Sequence, residues 1–163
     1  MNETTDLTLK DVKVTEEEKL EFYKVFLADK PYQSTESLFD GKFKITFSSL
    51  SVKQTKDIFE QLRKDQLVDE VTTDANYMMT LTNYRLGQAV VSINDEPFAP
   101  ELALGKYKPK NENDSYVKAK GAVFGEWSVF KLSAVADAFK KFEDKLVYLT
   151  REIQTENFWA ADQ

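Results

Sequence analysis

Leu132, Val135, Phe139, Phe142, Leu146, Leu149 and Ile153 follow one another at steps of 3, 4, 3, 4, 3 and 4 residues. Steps of this kind lay one apolar stripe down a single helix. Kept up over three heptads, they are what a helix needs to lie along another surface. The chain is therefore expected to close on one long helix, about residues 128–155, starting between Trp127 and Ser133. The stripe can pack on the chain's own shorter helices, or part of it can dock a partner protein in helix-to-groove fashion. On the second reading the candidate protein-binding residues are Phe139, Phe142 and Leu146, with Phe158 and Trp159 near the end of the chain. Phenylalanine at two seam positions is bulky for an ordinary two-stranded coiled coil, which favours a heterogeneous partner surface.

Earlier segments supply shorter elements. Residues 1–14 alternate loosely through Leu7, Leu9, Val12 and Val14, as an edge strand or an arm. Thr15 and Glu18 have the spacing of a capping box, and the acidic first turn that follows suits the helix dipole. That helix is expected over 16–29, before Pro31. Phe43, Ile45 and Phe47 alternate with Lys42, Lys44 and Thr46 after Asp40-Gly41, a pair suited to the positive φ angles of a hairpin turn. A second capping box, Ser51 with Gln54, opens a helix with Val52, Ile58, Phe59 and Leu62 facing inward, ending between Lys64 and Leu67. Thr72-Thr73-Asp74 caps another helix through Tyr77, Met78, Leu81, Tyr84 and Arg85 to about Ala89, and Val90–Ile93 reads as a short strand. Residues 95–121 hold three of the four prolines and read as a long loop, functional or mobile. The expected fold class is α+β: predominantly helical, with a small antiparallel sheet built on a hairpin, in a single domain over 1–163.

Composition narrows the chemistry. Twelve Phe and seven Tyr supply an ample core, while only five Gly and four Pro disfavour a loop-rich sandwich. With no Cys, disulfides and thiolate metal sites are excluded. With no His, the usual general base and zinc ligand are missing, and Ser–His or Cys–His nucleophiles cannot be built. No catalytic residue, cofactor or metal ligand is therefore assigned. A net charge of −6 works against phosphate backbones and anionic membranes. No stretch is apolar enough to span a bilayer. The polar, acidic N-terminus lacks the character of a signal peptide, so a cytoplasmic location is expected.

Other motifs fall short of a site. Lys106, Lys108, Lys110, Lys118 and Lys120, with Tyr107 and Tyr116, loosely suggest a single-strand binder, but the stretch has no arginine and nucleic acid is not expected as a partner. Asn94-Asp95-Glu96 lacks the alternating ligands and central glycine of a calcium loop. The glycines are scattered, so no phosphate-binding loop exists. An acidic pair of glycosidase type needs a cleft that the sequence does not reveal. The carboxylates are also too dispersed for a mimic of nucleic acid.

Three stretches carry a resemblance. Lys42–Phe47 leads through Ser49-Leu50-Ser51 into a polar helix; Asn83–Phe98 contains a helix end, a strand and a polar turn; Phe142–Val147 runs on to Glu156-Asn157-Phe158-Trp159. In this order, over about residues 38–160, the chain resembles small tail- and baseplate-assembly proteins of tailed bacteriophages. The resemblance implies a non-enzymatic factor that binds a phage tail or baseplate component, as an assembly chaperone in the host cytoplasm or as a minor part of the virion. Self-association is left open. The alternative is a small carboxylate-dependent enzyme, a glycosidase or a metal-dependent nuclease, recognisable by a concave acidic pocket.

Overall fold

A computed structural model describes residues 12–68, 73–98, 108 and 115–155. Its elements in order are α1 (Glu16–Leu27), β1 (Gln33–Leu38), β2 (Phe43–Ser48), α2 (Val52–Leu67), α3 (Asp74–Ala89), β3 (Val90–Ile93), β4 (Glu96–Pro97), α4 (Tyr116–Gly125) and α5 (Val129–Ile153). Helices take up 63% of the described residues and the strands form one antiparallel sheet, so the fold is α+β and mostly helical. The chain divides into two compact units where the sequence reads as one domain. One unit draws on residues up to Tyr32 and from Asp137 onward; the other is Gln33–Ala136.

In the first unit, α1 opens on its capping box. The Thr15 hydroxyl accepts from the Glu18 N–H at 3.1 Å, and the Glu18 carboxylate accepts from the Thr15 N–H at 2.8 Å. The helix ends at Leu27, two residues short of expectation. Asp29 turns into the left-handed region (φ 53°) and the Lys30 N–H reaches back to the Val25 carbonyl at 2.9 Å, which closes the last turn before Pro31 acts. The Phe22 ring meets Tyr32 edge-on at 5.5 Å, Tyr32 stacks on Phe142 at 6.3 Å, and Phe142 stacks on Phe139 at 6.3 Å. Beside this aromatic interior, Lys145 donates to Glu18 at 2.9 Å. Burial alone would raise the Glu18 carboxyl, but the Thr15 N–H and the Lys145 ammonium outweigh it and hold the group below its usual range.

In the second unit the sheet order is β1-β2-β3-β4. Asp40 and Gly41 do take positive φ (57° and 80°), and the Lys42 N–H closes the turn on the Phe39 carbonyl at 3.2 Å. Phe39 also enters the left-handed region (φ 54°), so the ladder stops at Leu38–Phe43 rather than running to the turn. Asn94 and Asp95 (φ 50° and 67°) form a second tight turn that pairs Ile93 with Glu96. Asn94 locks that turn to β2: its N–H donates to the Lys44 carbonyl, and its Oδ1 accepts the Lys44 N–H, both at 2.8 Å.

Two expectations are corrected here. Residues 95–121 are not one long loop, since they contain β4 and the start of α4. Ser115 caps α4 by accepting the Lys118 N–H at 3.2 Å, and Val117, Gly121 and Phe124 make its buried face. Lysines on the other positions masked that stripe. On α2, Ile58 and Leu62 are buried as expected, but Val52 (76% exposed) and Phe59 (50%) face water. Gln61 and Asp65 take their place, because positions 58, 61, 62 and 65 share one helical face and the Gln61 amide donates to the Asp65 carboxylate at 2.9 Å. Ile58, Leu62, Tyr84 and Val117 form a core cluster that joins α2, α3 and α4.

α3 and α4 approach through glycines. A Cβ on Gly121 would lie 2.6 Å from Tyr84 Cδ1, and one on Gly87 would lie 3.0 Å from the Gly121 nitrogen. Gly121→Ala is therefore expected to destabilise by about 1–3 kcal/mol despite alanine's better helix propensity. Gly125→Ala, with nothing within 4 Å, should instead be neutral or gain up to ~1 kcal/mol. Urea melts of the two variants test the opposite signs.

Candidate interaction surface

The hairpin between β1 and β2 carries an aromatic residue out to its tip. Phe39 is 51% exposed and packs edge-on against Phe43 at 6.1 Å. Phe43 meets Trp127 at 6.1 Å, Trp127 meets Phe124 at 4.8 Å, and Phe124 stacks on Phe98 at 5.4 Å. These rings run from the hairpin tip to the junction of α4 and α5. The Lys131 ammonium sits 4.0 Å over Trp127 and 4.9 Å over Phe43, a cation–π arrangement that holds the first turn of α5 on the hairpin. Ser128 caps that turn, accepting the Lys131 N–H at 3.2 Å. Immediately beside Trp127 and Lys131, Val129 is 76% and Phe130 88% exposed. Large contiguous exposed apolar patches mark interaction sites, whereas single exposed apolar residues are ordinary.

Sequence-predicted residues fall elsewhere. Phe139 and Phe142 are buried, their rings taken up by Tyr32 and by one another, and Leu146 is half-buried. The seam at these positions is thus spent on the chain's own interior. Phe158 and Trp159 lie outside the described residues, as do Lys106, Tyr107 and Lys110. Lys118 and Lys120 project from α4, not from a loop. Lys120 lies over the rings of Tyr116 and Phe98, and burial lowers its pKa while raising that of Tyr116.

Phe130 escaped the sequence reading because the heptad pattern begins at Leu132 and draws attention to the opposite face. Its position in the first turn, beyond the seam, was the available signal.

The carboxylates do two different things. Asp65, 1% exposed, accepts from the Tyr84 hydroxyl at 2.5 Å and the Gln61 amide at 2.9 Å, with Lys118 Nζ at 3.7 Å. It ties α2, α3 and α4 together. Nearby, a cleft of about 330 Å³ opens between α2 and the start of α4, where Lys53 and Lys64 offset Asp57 and Glu60. Lys53 and Asp57 pair across one turn at 3.0 Å. Among the described residues no acidic cluster has the makings of a metal site, and no helix is long and apolar enough to cross a membrane.

Comparison of the chain with protein-family models, with curated proteins and with solved structures gives no match.

Proposed function

We propose that this chain is a non-enzymatic protein-binding factor whose contact surface is the hairpin tip together with the first turn of α5. The single observation that carries the reading is Phe130, 88% exposed beside Trp127 and Lys131. At 88% exposure Phe130 buries little of its ring in the folded chain. Buried in a partner's pocket, it has the character of the aromatic anchors that dominate interfaces. Phe39 at the hairpin tip and Val129 on the same turn of α5 are further exposed apolar side chains, and Lys131 over the Trp127 ring adds a polar group. The sequence pattern supplies the narrower setting: assembly of a phage tail or virion, with a tail or baseplate component as partner.

Phe130→Ser tests this. Tagged wild-type and variant chains are compared by affinity capture from the native cells and quantitative mass spectrometry. Loss of an anchor worth about 2 kcal/mol or more should lower recovery of the specific partner roughly 30-fold, with an unchanged melting temperature. Equal recovery by both chains overturns the assignment of the surface. In purified mature particles, an assembly chaperone is absent and a structural component is present.

A further inference from the structure

The outer edge of β1 has a hydrogen-bonding polarity that follows from the ladder. Lys44 directs both its N–H and its C=O toward Asn94, on the β3 side. In an antiparallel pair, opposed residues either exchange both bonds or point both groups away. Ser37, opposite Lys44, therefore points its N–H and C=O outward, and so do Thr35 and Gln33 at alternate positions. The Thr35 and Thr46 hydroxyls, 2.8 Å apart, fit the closer approach of a non-hydrogen-bonded pair. β1 is the first strand of the sheet order, and its residues alternate between exposed and half-buried. Among the described residues, no backbone bond satisfies the outward groups of Gln33, Thr35 and Ser37. The strand has no proline or bulge, and Glu36 is its one charge.

We propose that this edge pairs with the same edge of a second copy of the chain, antiparallel about a twofold axis at Thr35. The strand's own side chains argue for that occupant. Thr35 faces Thr35 of the copy and exchanges both outward backbone bonds with it, and Gln33 faces Ser37, so no charge meets a like charge. Between them Glu36, the one charge of the strand, stands opposite Ser34, the residue whose hydroxyl it already accepts from within the chain at 3.3 Å. Sliding the copy by two residues toward Ser37 places Glu36 against Glu36, so like-charge repulsion disfavours that register. The two four-stranded sheets then continue as one. The pairing is independent of the apolar patch around Phe130 and uses a different part of the unit.

The chain contains no cysteine, so a single introduced one reports the register directly. Opposed residues of a hydrogen-bonded pair have Cα atoms about 5.5 Å apart, within disulfide reach. Under mild oxidation, Thr35→Cys should form covalent dimer at least several-fold faster than Ser37→Cys, whose counterpart in the copy is Gln33. Sedimentation of the wild type should show a mass rising above 18.8 kDa with concentration. Thr35→Pro should hold it at the monomer value: it deletes the outward N–H and leaves the bonds to β2 intact, so the melting temperature stays near wild type. A wild type that remains monomeric at high concentration overturns the proposal. So does self-association that survives Thr35→Pro in a folded variant, or cross-linking of Thr35→Cys no faster than that of Ser37→Cys. Loss of a different captured protein on Thr35→Pro, with no self-association in the wild type, assigns the edge to that protein's strand and overturns it equally.

Discussion

Phe142→Ala is expected to lower the stability of the unit built on α1 and α5 by about 3–5 kcal/mol, the range for emptying a buried phenylalanine site. Phe142 is 1% exposed, and its ring stacks on Tyr32, which meets Phe22 edge-on. Truncation removes the central ring of that series, and the flanking rings cannot collapse onto an alanine without leaving their own contacts. At about 2–4 °C per kcal/mol for a chain of this size, the melting temperature should fall by roughly 6–20 °C. Phe142→Asp adds an unpaired charge to the same cavity and should leave this unit unfolded. Phe130→Asp, the same change on the same helix at an 88% exposed position, should leave melting almost unaltered. Thermal denaturation followed by far-UV circular dichroism distinguishes the two. A Phe142→Asp chain that melts like wild type would show that the aromatic interior does not hold this unit together.

That pair of variants also marks where sequence reasoning succeeds. Caps and periodicity are local, and they were legible: Thr15–Glu18 and Ser51–Gln54 close as capping boxes, α3 ends at Ala89, and α5 runs Val129–Ile153 against an expected 128–155. What failed depended on partners distant in sequence. Gly121 falls at the end of the stretch expected as a loop, and its helix is packed against Tyr84, a contact far away in sequence. Gln61 and Asp65 carry no local signal of burial, which rests on Tyr84 and Lys118 reaching the carboxylate from other helices. Val52 and Phe59 read as core because they are apolar, although Ile58 and Leu62 set the phase of the buried face. The candidate surface was hidden for a related reason. Apolarity nominated Phe139 and Phe142 for docking, and only tertiary structure distinguishes a phenylalanine already covered from one, Phe130, that is not.

Asp65 is the polar counterpart of Phe142, and its removal should be nearly as costly. Asp65→Ala removes the acceptor of the Tyr84 hydroxyl and of the Gln61 amide from an interior where Asp65 itself is 1% exposed, and takes a carboxylate away from Lys118. Deleting one member of a buried charged network costs about 3–5 kcal/mol. Lys118 is 28% exposed and keeps part of its hydration, so the lower end of that range is expected. Tyr84→Phe removes only the hydroxyl and should cost about 1.5–3 kcal/mol, the range for a hydrogen bond to a charged group. Because both substitutions break the same contact, the double variant should fall short of the sum of the two by about 1–3 kcal/mol. Strict additivity in urea melts would mean that the Tyr84–Asp65 contact contributes nothing to holding α2 against α3. Coupling of the expected size would place the buried carboxylate among the determinants of how these helices pack, and would assign its chemistry to architecture.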